Sequence, residues 1–178
     1  MAWRLAPAIA ALTVSGCGLA GITVAPVHRG PGLSGSEYDY AAAAGEFATV
    51  VVGNPFGGDN ATFARRVTTI LNEENPLQPT NFTTQPGPKA GTKYRAVFVF
   101  NTGRQADHTL CQDPQALRGG PAGTAPITVQ AAFCNGAVSL MDVYASASNG
   151  DDAKFRALIT QVQGSLFPSR SALTFIPN

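Results

Sequence analysis

Residues 127–146, ITVQAAFCNGAVSLMDVYAS, constrain the fold of this chain more than any other stretch. Two strand-like runs flank Asn135-Gly136, a pair that tolerates positive φ at both positions and so suits a tight type I′ hairpin. A two-residue turn there sets Cys134 opposite Ala137, Phe133 opposite Val138 and Ala131 opposite Leu140. Side chains alternate between the faces of a strand, so one face collects Ile127, Val129, Phe133, Val138, Leu140 and Tyr144. Asp142 falls on that same face, opposite Val129. A buried lone carboxylate is costly unless it finds a partner, which makes Asp142 the one misfit in the pattern.

The remaining elements follow from the same kind of pattern. FATVVVGNPFGG reads as a strand from Phe47, stopped by Asn54-Pro55 and Gly57-Gly58. Asp59 or Asn60 then caps a helix whose Phe63, Val67, Ile70 and Leu71 share one face, and Asn75-Pro76 ends it. A short strand surrounds Phe82, and a strong one runs from Tyr94 to Phe100. The apolar core of the latter, Ala96 to Phe100, suits a strand covered on both sides. From Thr102 to Ala125 the pattern weakens into a long loop that ends in the Gly- and Pro-rich RGGPAGTAP, read as floppy. After the hairpin, Asp151 or Asp152 opens a helix with Phe155, Leu158, Ile159, Val162 and Leu166 in one stripe, ended by Pro168. The expected architecture is α+β: a two-layer sandwich with a mostly antiparallel sheet of about five strands and two amphipathic helices on one face.

The first residues bear on the compartment. Arg4 precedes a short apolar run from Leu5 to Val14, followed by Ser15-Gly16-Cys17, the three-part plan of a secretory signal. Val14-Ser15-Gly16-Cys17 resembles the bacterial lipobox. That resemblance implies cleavage before Cys17, a diacylglycerol on its thiol and acylation (palmitate) of the new amine. The expected organisation is a signal peptide over 1–16, a flexible tether over 17–45 and one α+β domain over 46–178. Tyr38 and Tyr40 alternate with Glu37 and Asp39, so part of the tether could instead lie against the domain as an edge strand. Once Arg4 is removed, eleven basic residues balance eleven acidic ones, which leaves no electrostatic case for nucleic acid. Cys111 and Cys134 remain after Cys17 is used, and in an oxidising compartment they are expected to form a disulfide. The competing assignment is a Cys111 nucleophile with His108 as its base.

Catalytic templates find little support. The two histidines, His28 and His108, have no metal-site spacing, so no metal or cofactor is expected. Gly32-Leu33-Ser34-Gly35-Ser36 misplaces the second glycine of a nucleophile elbow. VVVGNPFGGDN opens a helix as phosphate loops do, with Asn54, Gly57 and Gly58 able to shape an anion site, but it lacks the Gly-Lys-Ser/Thr ending. Glu73-Glu74 and Asp151-Asp152 read as solvated helix ends. Asp142 near His108 or Arg95 is the one partly buried constellation worth testing, and no catalytic residue is assigned.

Together, VVVGNPFGG, FTTQPGP, YRAVFVFN, AAFCNG and FRALITQVQGSLFP resemble a group of small uncharacterised proteobacterial lipoproteins. The resemblance implies an envelope location and no activity. The functional expectation is a lipid-anchored, periplasm-facing protein that binds or scaffolds an envelope partner without catalysis. Gly18 after the anchor slightly favours the outer membrane over the inner. The alternative is a small periplasmic hydrolase or ligand-binding protein that uses the 102–125 loop.

Overall fold

A strand that is apolar on both sides needs cover on both sides, and Tyr94–Phe100 (β5) is such a strand: Ala96 to Phe100 are all buried. The computed structural model describes residues 21–167 except 26, 32, 34, 35, 76–78, 89, 91, 92, 107 and 108. The elements before β5 are β1 (Ile22–Val24), β2 (His28–Arg29), α1 (Glu37–Ala42), β3 (Glu46–Val52), α2 (Asn60–Glu73) and β4 (Asn81–Thr83). Those after it are α3 (Thr109–Gln112), β6 (Ile127–Asn135), β7 (Val138–Ala147) and α4 (Asp152–Leu166). The strands form one sheet in the order β1-β7-β6-β5-β3-β4, with β2 also pairing with β7. The fold class is α+β.

The sheet has seven strands and is mixed, which corrects the expectation of about five mostly antiparallel ones. β3 runs parallel to both β4 and β5, whereas β5–β6, β6–β7 and the two short N-terminal strands pair antiparallel. The cause lies in the chain order: a helix between two strands carries the chain back to its starting end, so the strand after α2 must enter parallel to β3. The two additional strands come from the stretch read as a tether. There β1 and β2 add to β7, and α1 packs against the domain. Glu37–Ala42 is a helix, not an edge strand, because Tyr38, Ala41 and Ala42 sit at i, i+3 and i+4 and are buried together, while Tyr40 is exposed. Burial raises the pKa of the Tyr38 phenol above its ordinary value, opposed by its hydrogen bond to Asn75.

Both long helices lie on one face, as their stripes require: Phe63, Val67, Ile70 and Leu71 of α2, and Phe155, Leu158, Ile159, Val162 and Leu166 of α4, are buried against it. Asp59 and Asp151 cap the two helices, accepting from the N–H groups of Thr62 and Lys154. Arg66 of α2 reaches across to α4. Its guanidinium stands 4.6 Å and 4.5 Å from the ring centres of Phe56 and Phe155 and pairs with Asp152 at 2.5 Å. The second face is covered too, so the fold is more than two layers. α3 and Leu117 bury Val97, Val99 and Ala132 there, and the Cys111–Cys134 disulfide ties the covering loop to β6.

The hairpin differs from its expected register. Asn135 pairs with Val138 and Cys134 with Ser139, so the turn residues are Gly136 and Ala137. Of the two, Gly136 alone has positive φ (+59°), which matches a type II′ turn with glycine first. A bulge then sets Phe133 opposite Met141, leaving Leu140 as the extra residue, and adjacent Leu140 and Met141 are both buried in the helix-side core. Beyond the bulge every side chain of β7 changes face. Met141, Val143, Ala145 and Ala147 face the helices, and Asp142 lies beside Ala132 on the second face.

Closing a loop with a sequence separation of 23 residues contributes about 3 kcal/mol in the chain-entropy treatment. Cys111→Ala combined with Cys134→Ala is expected to lower the unfolding free energy by about that amount, read from the urea midpoint. A midpoint unchanged between the double variant and the oxidised parent would show that the loop is held without the bond.

Candidate functional site

Where β3 ends, the chain turns through a short glycine-rich segment before α2. Gly53 has φ +81°, and the Asn54 side chain then holds the turn, donating to the Gly57 carbonyl at 2.6 Å and accepting from the Phe56 N–H at 3.0 Å. Asp59 follows as the cap of α2. The Thr62 hydroxyl first, and then its N–H, hold the Asp59 carboxyl below the usual carboxylate range. This cap therefore contributes fully at neutral pH, and its contribution is lost as pH falls through the lowered value. A carboxylate at this helix start also works against an anion site at Asn54, Gly57 and Gly58, and the segment is the tight strand-to-helix turn.

The 113–122 segment closes over the same end of the sheet. Asp113 Oδ1 accepts from the N–H groups of Gln115 and Ala116, each at 3.2 Å. The Gly120 N–H donates to the Phe100 carbonyl at 3.0 Å, and the Gly123 N–H to Pro55 at 2.8 Å. Asn101, at φ +52°, donates to the Pro121 carbonyl and the Thr124 hydroxyl, both at 2.9 Å. A Cβ on Gly119 would lie 2.2 Å from the Gly53 Cα, and one on Gly120 would lie 1.4 Å from the Asn101 carbonyl oxygen. The RGGPAGTAP stretch is thus fastened to the ends of β3 and β5, and is not the floppy segment its composition suggests.

Between these walls runs a groove of about 780 Å³. It is lined by Thr49–Val52, by Gly53, Asn54, Gly57 and Gly58 of the turn, by Asn60, Ala61 and Ala64 of α2, by Thr84 after β4, and by most of 114–122. Its lining comes from both faces of the sheet, so the groove follows the sheet edge. Among the described residues that line it, Arg118 is the one ionisable side chain. A second cavity, of about 440 Å³, lies under the long loop between Val99, Thr102, Gln105, Thr109 and Leu117.

Of the residues singled out by sequence, Asn54, Gly57 and Gly58 line this groove, whereas Asp142, Arg95 and Cys111 do not. Asp142 is fully buried on the second face, where Gln130 Nε2 donates to it at 3.2 Å and His28 Nδ1 stands 3.8 Å away. Gln130 also exchanges hydrogen bonds with the Gln105 backbone at 2.7 Å and 3.1 Å, so this network fastens the long loop and β2 to the sheet. The Arg95 guanidinium donates elsewhere, to the carbonyls of Cys111 and Gly136. Cys111 is in its disulfide and offers no thiolate. Glu73 and Glu74 pair with Arg156 at 2.7 Å and 3.2 Å, linking α2 to α4. Cys17 and His108 lie outside the described residues. Among the described residues, no group of three or more metal-ligating side chains is assembled, and no helix is long and apolar enough to cross a membrane.

Sequence reasoning singled out Asn54, Gly57 and Gly58 and the 102–125 loop, which both line the groove, but missed the strand edge between them because that edge is backbone. The available signal was the length mismatch between a three-residue β4 and a seven-residue β3.

No protein-family model and no curated protein matches the chain. Among solved structures it is similar to a leucine-to-methionine variant of the PelC dodecamer from Paraburkholderia phytofirmans. That match has a TM-score of 0.45 at 15% identity, over 84% of this chain and 99% of that one. It is also similar to the PelC dodecamer of the same organism, with a TM-score of 0.40 at 15% identity, over 84% and 98% of the two chains. Similarity of this size carries neither assembly nor activity across.

The fastening of the loop has a measurable consequence. Gly120→Ala drives a methyl into a carbonyl and is expected to cost about 1–3 kcal/mol. Gly58→Ala, at φ +80° with nothing near its Cβ, meets backbone strain alone, of about 1–2 kcal/mol. Thermal unfolding should rank Gly120→Ala as the more damaging; equal melting temperatures would mean that the loop yields freely.

Proposed function

We propose that this chain is a lipid-anchored bacterial cell-envelope protein whose domain binds or scaffolds an envelope partner and carries out no chemistry of its own. Cys17 is its lipid attachment point, the domain faces the periplasm, and the outer membrane is the favoured host. One observation carries the binding assignment: the groove beside β3 is lined by apolar and uncharged polar groups, with Arg118 as its one ionisable described residue. A preformed concave surface of this kind supports recognition, whereas acid–base or nucleophilic catalysis needs titratable groups converging on a reacting atom. The disulfide supports export, because such bonds persist in oxidising compartments. The anchor rests on the lipobox resemblance at Val14–Cys17.

A second reading, a small periplasmic ligand-binding protein or hydrolase, has the cavity under the 102–125 loop in its favour. Gln105, Thr109, Gln112 and Asp113 supply it with polar groups.

Mass spectrometry of the native product should find an N-terminus beginning at Cys17 with fatty acyl groups, and Cys17→Ser should move the protein from membrane to soluble fractions. An unprocessed or unacylated N-terminus would remove the anchor. Cross-linking in intact membranes should recover a second envelope protein attached near 114–122; recovery of this chain alone would count against partner binding.

A further inference from the structure

The hydrogen-bond ladder of β3 runs to the strand's C-terminal end on one side and stops early on the other. Toward β5 it is paired from Ala48 to Val52, but toward β4 only from Glu46 to Ala48. Beyond Thr83 the chain turns away, with the Gln85 N–H donating to the Thr83 hydroxyl at 3.1 Å. In a parallel ladder alternate residues present both peptide groups to the same side. The Asn81 N–H donates to the Gly45 carbonyl at 3.0 Å, which fixes the alternation. Gly45 and Phe47 face β4, so Thr49 and Val51 face the groove, while Ala48, Val50 and Val52 face β5. The Val51 N–H and C=O and the Thr49 C=O therefore continue the ladder into the groove.

The outer edge of β4 is treated differently. Asn72 closes it with its side-chain amide, accepting from the Phe82 N–H at 2.7 Å and donating to the Phe82 carbonyl at 3.1 Å. One amide thus imitates the strand that could otherwise pair there. No such plug stands beside Thr49–Val52 among the described residues. What stands there is a slot, with Ala61 and Ala64 of α2 on one wall and Gly119, Gly120 and Ala122 on the other. Small walls let a backbone approach another backbone closely.

The geometry points to strand addition: an extended segment of a partner protein, uncharged apart from an acidic residue, enters this slot and pairs with Thr49 and Val51 as a further strand. This rests on the reading of the domain as a partner-binding module, and it specifies the form of the partner. Main-chain hydrogen bonds supply the affinity in such complexes, and side-chain pockets supply the selectivity. The acidic residue is argued from Arg118, the sole ionisable group among the described residues of the lining. The same charge argues against a second copy of this chain as occupant. Two-fold pairing of β3 with β3 would bring both Arg118 side chains to one slot.

The test selects a displayed library of random nonapeptides against the detergent-solubilised full chain, with Ala64→Arg and Arg118→Glu run in parallel. Melting curves establish that both variants are folded. Selected peptides are expected to be strand-forming with an acidic residue, and to slow hydrogen exchange at the Val51 amide. Binding should weaken by about tenfold or more in Ala64→Arg, and Arg118→Glu should switch the preference to a basic residue. The proposal is overturned if no peptide is enriched on the parent over Ala64→Arg, or if bound peptides leave Val51 unprotected. It is also overturned if Val51 is already protected without peptide. Protection independent of protein concentration would assign the slot to a segment of this chain, and concentration-dependent protection to a second copy. If selection fails while membrane cross-linking still recovers a partner near 114–122, strand addition falls and the binding module stands. If both fail, both fall.

Discussion

Burial of β5 on both faces is the constraint from which the rest of this molecule follows. Ala96, Phe98 and Phe100 meet the helices, and Val97 and Val99 would face water unless something covered them. No long helix follows β5 to do this, so the chain covers the second face with α3 and a loop, elements poor in apolar contacts of their own. Such a cover has to be fastened, and three kinds of bond do it: the disulfide to β6, the Arg95 guanidinium on the Cys111 carbonyl, and the Asn101 side chain on Pro121 and Thr124. The groove is a by-product of that fastening, because the same loop forms one of its walls.

Asp142 belongs to this second face. A carboxylate without exposure among apolar neighbours needs hydrogen bonds or charge to offset its desolvation. Here it receives Gln130, which is itself bonded to the backbone of the covering loop, and it stands beside His28 on β2. A polar network that joins a loop, a central strand and an added edge strand defines one arrangement of three elements that apolar packing alone would hold loosely. That gives Asp142 a structural role, outside the groove lining.

Much of the fold was legible in the sequence, and the misses have physical causes. The cores of α2 and α4 were readable because their stripes are long and strictly periodic, and Tyr94–Phe100 because its apolar run is unbroken. The parallel pairing of β3 was implied by strand–helix–strand order but overridden by the prominence of the hairpin. The hairpin itself was recognisable, yet its register was not: one inserted residue at Leu140 reverses every later side chain, and periodicity cannot locate a bulge. Asp142 was the visible trace of it, since a misfit on one face is a fit on the other. The disulfide was readable because setting Cys17 aside as the expected anchor leaves Cys111 and Cys134 as a pair. The strand edge inside the groove left no side-chain signature, because the groups it offers are peptide N–H and C=O.

The contrast between the two neighbouring edges bears on why β3 is left open. An exposed strand edge invites pairing with other chains, and proteins usually plug, shorten or charge such edges. This chain plugs β4 with Asn72 and covers the far side of β7 with β1 and β2. Beside β3 it recesses the edge between a helix and a pinned loop. A recessed edge excludes the flat edge of another sheet, which is too broad to enter, but it admits a single extended segment. The walls that protect the edge from aggregation are therefore the same walls that select a slender occupant, so protection and recognition follow from one geometry.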